Sequence, residues 1–173
     1  IKNNISFNNK IYPWQEKLFN YCLNDVSKAT KIKKKGGIVI HELLSKIDTD
    51  LDIDWVVKEA IGEGKIKLED KKSIKELLKE VVMNPKIEKY FSREFKIFKE
   101  RDVVSPDCKK IRIDRIMVKD KTAIIMDYKT GIEKDEDILQ IKKYEQILNQ
   151  TNLKVIKKII VYIKEKPIHI KFL

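Results

Sequence analysis

The sequence predicts an α/β protein in which a mixed sheet is flanked by helices. Two periodicities and one order of elements carry that expectation. Up to Asn84-Pro85, apolar residues recur three and four positions apart, the period of amphipathic helices. From Ser92 onward they alternate with polar residues, the period of half-buried strands. A single helical run then interrupts the strands, so the second part reads β-β-β-α-β. Three successive strands suggest a meander, and the helix suggests a crossover to the fourth.

The helical part, residues 1–91, opens with "YPWQEKLFNYCLNDV", which places Trp14, Leu18, Tyr21, Cys22 and Val26 on one stripe behind Pro13. Gly36-Gly37 breaks the chain after the basic run "KIKKK". "IVIHELLSKI" restarts a helix, with Ile40, Leu43, Leu44 and Ile47 facing one way. "IDWVVKEAI" is a short helix ending at Gly62. "KKSIKELLKEVVMN" repeats the period through Ile74, Leu77, Leu78, Val81 and Val82 until Asn84-Pro85 stops it, and "PKIEKYF" adds a further helical turn. Both Trp14 and Trp55 read as core.

The sheet part, residues 92–173, offers "REFKIFK", "KKIRIDRIMV" and "TAIIMDYK" as its first three strands. The crossover helix "DEDILQIKKYEQILNQ" has Ile138, Ile141, Tyr144, Ile147 and Leu148 as its apolar stripe. The acidic run "EKDED" reads as a solvated helix start, favoured by the helix dipole. "KVIKKIIVYIKE" and "IHIKFL" supply two last strands, with His169 expected to have no acidic neighbour.

Composition bounds the function. With 173 residues the chain is long enough for one ordinary domain, and it reads as a soluble, cytoplasmic one with no secretory signal. Beginning at Ile1 rather than methionine, it reads as a piece of a longer protein. No apolar run approaches the roughly 20 residues of a membrane span. Cys22 and Cys108 cannot make a four-cysteine zinc or iron–sulfur site, and a disulfide between them is not expected. No GxxxxGK[ST] run occurs, so an ATPase P-loop is excluded. The net charge of +11 suits a polyanion such as nucleic acid, although a lysine-rich composition alone would produce it. An RNA-stacking sheet is disfavoured, because the strands lack an exposed Phe/Tyr pair.

The chemistry concentrates in "AIIMDYKTG", residues 123–131. A strand apolar on both faces ends in Asp127 and Lys129, two residues apart and so on one face, with Tyr128 on the other. If Asp120-Lys121 is the tip of the hairpin joining the second and third strands, Asp114 stands opposite Asp127. Carboxylates at that range, roughly 5 Å between Cβ atoms, repel and force one toward protonation. A divalent cation resolves the conflict, and so would an Asp114–Lys129 ion pair. A slip of one residue would send the two aspartates to opposite faces. On its own, His41 reads as structural or exposed, Glu94 as an exposed strand residue, and Gln140 with Tyr144 as one helical face.

Five motifs in order carry a resemblance. Gly37-Ile-Val-Ile-His41, Glu94 in "REF", Asp114 in "IRIDR", "DYKTG" from Asp127, and Gln140-Ile-Lys-Lys-Tyr144 together resemble the RecB-type branch of the PD-(D/E)xK nuclease superfamily. The closest likeness is to the nuclease domain at the C-terminus of RecB/AddA-type and UvrD/Rep-like helicase–nucleases. The resemblance implies a restriction-endonuclease-like core over residues 1–173 as a single nuclease domain. It implies Mg2+- or Mn2+-dependent hydrolysis of DNA phosphodiester bonds in repair and recombination. Asp114, Asp127 and His41 would hold the metal, assisted by the Tyr128 carbonyl. Lys129 would be catalytic beside the two aspartates, with Glu94, Gln140 and Tyr144 in support. Partners would be DNA and helicase/ATPase domains of the same polypeptide or complex, with no membrane and no iron–sulfur cluster. The alternative is an inactive DNA-binding or helicase-docking module of the same fold.

Overall fold

A computed structural model describes residues 37–104, 110–164 and 167–173. The N-terminal stripe from Trp14 to Val26, the basic run 31–35, Cys22 and Cys108 lie outside the described residues. Within them, α1 is helical over residues 37–46, α2 spans Ile53–Gly62 and α3 spans Lys71–Val82. A short 3-10 turn, Glu88–Tyr90, follows Pro85. Strand β1 spans Lys96–Val104, β2 Lys110–Lys119 and β3 Thr122–Lys129. Helix α4, Asp135–Leu148, leads to β4, Lys154–Tyr162, and β5, His169–Phe172.

The five strands form one mixed sheet in the order β1-β2-β3-β4-β5. Only β3 and β4 are parallel, because only they are joined by a helical crossover. β1, β2 and β3 make the expected meander, and β5 returns antiparallel along β4. No described helix is long and apolar enough to cross a membrane.

Strand alternation divides the core between two faces. Ile124, Met126 and Tyr128 join Ile159 and Val161 beneath α1, α2 and α3, where the predicted stripes Ile40, Leu43, Leu44, Ile47 and Ile74 to Val82 are buried. Ala123, Ile125, Ile160 and Tyr162 pack under α4 through Ile141, Tyr144 and Leu148. Helices therefore cover both faces of the sheet.

Three expectations need correction. Trp55 is not core: it is 56% exposed, because on α2 the inward positions are Ile53, Val56, Val57 and Ala60. Strand β1 begins at Lys96 rather than Arg93. His169 does have an acidic neighbour, since its Nε2 lies 3.4 Å from Glu133 and its ring stacks on Tyr162.

Candidate active site

The β2–β3 hairpin has the register that its tip residues imply. Lys119 faces Thr122 and Arg115 faces Met126, around a turn in which Asp120 takes a positive φ of 54°. Asp and Asn tolerate that conformation better than most residues. One step further along, Asp114 and Asp127 reach the open end of the ladder. There the Asp114 carboxylate takes over a backbone role: its Oδ2 accepts the Tyr128 N–H at 2.8 Å. Asp114 is thus locked onto β3 by a charge-assisted hydrogen bond and aimed at the strand end.

α1 brings the imidazole to the same point. His41 Nδ1 stands 3.2 Å from Asp114 Oδ2, and the ring meets Tyr128 edge-on with centroids 6.1 Å apart. Tyr128 itself points away from Asp127 into the α1–α3 core, as alternation requires. Gly37, one turn before His41, lies against the loop after β3. A Cβ there would come 2.6 Å from Thr130 Oγ1, so an alanine at 37 would force the Thr130 side chain to move. Gly37→Ala is expected to lower the thermal midpoint by a few degrees, about 1–2 kcal/mol. Adding Thr130→Ala should recover most of that loss; a double variant no better than the single one would dismiss the contact.

Asp127 is 3% exposed, with its Oδ2 turned inward. Its counter-charge is Lys129, whose Nζ lies 2.8 Å from that oxygen. Burial first, and then the charge of Asp114, push the Asp127 carboxyl up to about 6, against the pull of Lys129 and His41. The mutual repulsion expected of the paired aspartates is therefore present, and Lys129 answers Asp127 rather than Asp114. Lys129 also donates to Gln140 Oε1 at 2.6 Å, and Gln140 Nε2 donates in turn to the Tyr144 hydroxyl. Tyr144 is both core and the anchor of this chain of contacts.

These groups line one open cleft of about 660 Å3. His41, Asp114, Asp127, Lys129, Gln140 and Tyr144 all border it, which brings together six of the residues singled out by sequence. Glu94 is not among them. It sits in the turn before β1, 3.5 Å from Lys119 and with its side chain 71% exposed. Lys96 opposite Val118 places that turn at the hairpin-tip end of the sheet, away from Asp114. The β1 position level with Asp114 is 100, since Lys99 faces Arg115 and Arg101 faces Ile113.

Two features around the site were missed by sequence, one on the cleft wall and one beside Lys129. Arg112 adds a cation to the rim, two residues before Asp114 on β2. Asp137, in the run expected to be a solvated helix start, instead turns inward: Oδ2 accepts the Lys134 N–H at 3.1 Å and Oδ1 lies 3.8 Å from Lys129 Nζ. As the third residue of α4 it reaches back to the N-cap, but Lys134-x-x-Asp137 is not the Ser/Thr-x-x-Glu/Gln pattern that marks such a cap in sequence.

Two carboxylates, that of Asp127 buried, and one imidazole are the donor types a hard divalent cation accepts. Among the described residues, no three His, Cys, Asp or Glu side chains are grouped tightly enough to hold a metal as they stand. Compared with known proteins, the chain matches no family model and no curated protein.

Proposed function

We propose that this chain is a metal-dependent deoxyribonuclease domain with a restriction-endonuclease-like core, of the RecB-type branch of the PD-(D/E)xK superfamily. The observation that carries the reading is the meeting of Asp114, Asp127 and His41, from three separate elements, in one cleft beside Lys129. Asp114, Asp127 and His41, with the Tyr128 carbonyl, would hold Mg2+ or Mn2+. When bound, such an ion supplies Lewis-acid activation of water and neutralises charge developing at phosphorus.

The protein's own groups do the rest. Lys129 presents an ammonium to the cleft, placed to steady negative charge on a phosphate oxygen or to orient the attacking water. Gln140, itself held by Tyr144, limits the positions that ammonium can take. Hydrogen bonding from the Tyr128 N–H fixes the direction of the Asp114 carboxylate. Arg112 and the net charge of +11 favour phosphate approach, so binding should weaken steeply with salt. In this reading the domain is the exonuclease part of a repair or recombination helicase–nuclease.

One observation favours a second reading, an inactive DNA-binding or helicase-docking module. Lys129 already neutralises Asp127 without a cation. Labelled single- and double-stranded DNA with Mn2+, with and without EDTA, separates the two. Cleavage is expected to need Mn2+, to stop with EDTA, and to be lost in Asp127→Ala while DNA affinity stays similar or rises. Glu94→Gln should cleave as the wild type does. DNA binding with no cleavage under any condition would establish the second reading.

A further inference from the structure

Lys129 Nζ faces three oxygens: it donates to Gln140 Oε1 (2.6 Å) and lies at ion-pair distance from Asp127 Oδ2 (2.8 Å) and Asp137 Oδ1 (3.8 Å). In the proposed reaction they are not equally available. A carboxylate engaged by a cation is largely lost to an ammonium as a counter-charge, because the cation's field opposes it. Gln140 is neutral and holds Lys129 by one hydrogen bond. Among the described residues, Asp137 is then the remaining negative group within ion-pair distance.

The geometry of Asp137 suits that task. Its carboxylate is divided between two duties: Oδ2 caps the start of α4 through Lys134 N–H, and Oδ1 faces Lys129. Capping fixes the side chain, so the second oxygen needs little further ordering to serve as a counter-charge. Asp135 and Glu136 beside it are exposed, whereas the Asp137 side chain is 13% exposed. An ion pair this shielded is screened less than a surface pair.

We infer that Asp137 is a positioning residue for Lys129, the counter-ion that keeps the ammonium aimed into the cleft when Asp127 is occupied by a cation. The inference rests on the nuclease reading for its catalytic consequence, but its physical content is the hold on Lys129.

Asp137→Asn separates this role from capping, because it keeps an acceptor oxygen and removes the charge. Its thermal midpoint should stay within about 1–2 °C of the wild type. With Mn2+, kcat on DNA should fall about 10- to 100-fold with KM little changed, and Asp137→Glu should recover part of the loss. Wild-type kcat in Asp137→Asn would reduce Asp137 to a helix cap and overturn the inference.

A second measurement needs no activity. Relaxation of the Lys129 ε-carbon is read in 13C-lysine-labelled protein on an Asp127→Asn background, which removes the Asp127 charge without a metal. Lys129 should remain ordered there and become mobile when Asp137→Asn is added. Equal order in the two samples would overturn the inference. Failure of the nuclease reading would appear separately, as a wild type that cuts no DNA.

Discussion

Asp127→Asn is expected to give a protein that cuts no DNA and yet melts higher than the wild type at pH 8. The buried carboxyl is pushed up to about 6 by burial and by Asp114. A raised carboxyl means that the folded protein holds this proton more tightly than the unfolded chain, whose aspartates titrate near 3.9. The associated stability is therefore fully present below about pH 4 and is lost as pH rises through about 6. Above that, the ionised buried group weighs against folding by about 3 kcal/mol. Asparagine keeps the shape and carries no charge. For a chain of this size the gain should be about 5–10 °C at pH 8 and nearly nothing at pH 4.

Divalent metal gives the same prediction a second test. The wild type should gain thermal stability on adding Mn2+, since an ion binding only the folded state stabilises it by mass action. The variant should gain much less. A variant less stable than the wild type at pH 8 would mean that the Asp127–Lys129 contact outweighs burial, and the site would then read as a structural ion pair. Thermal scans at the two pH values, with and without Mn2+, decide between these results.

The second large effect is on folding. Arg115 is fully buried on β2, directly after Asp114. Its guanidinium donates to the Ile47 carbonyl at 2.7 Å and the Asp48 carbonyl at 3.3 Å, just beyond the end of α1. The same group lies over the Phe91 ring, 4.5 Å from its centroid. It thus ties the helix bearing His41 to the strand bearing Asp114, through a fork that one side chain alone can supply.

Arg115→Ala would leave the buried Ile47 carbonyl and the half-buried Asp48 carbonyl without their donor and open a cavity. The expected loss is about 3–5 kcal/mol, read as a fall in the denaturant midpoint at unchanged slope. Arg115→Lys should recover little, because an ammonium cannot span two carbonyls in the planar geometry of guanidinium. A midpoint shift worth less than about 0.5 kcal/mol would show that α1 is held by its apolar face alone.

The architecture was readable because periodicity reports burial. Every apolar stripe assigned to α1, α3 and α4 within the described residues packs inward, since a helix that must cover a sheet shows its buried face every three to four residues. The hairpin register was a supposition that Asp120-Lys121 forms the tip, and the structure has that register, with Asp120 at a positive φ. At Glu94 the pattern and the strand part company. Alternation continues past the true start of β1, and nothing in "REFKIFK" marks where hydrogen bonding begins. Trp55 shows another: size and apolarity suggest core, but the face of α2 decides, and its inward positions are filled by smaller residues.

Residue order alone dictated the β-β-β-α-β course, the buried stripes and the pairing of the two strands that carry the aspartates. These depend on local spacing, which the chain states directly. The contact of His41 with Asp114, the inward turn of Asp137 and the burial of Arg115 against the end of α1 came only with the assembled fold. Each joins residues far apart in the chain through side-chain direction and packing, and no local spacing encodes those.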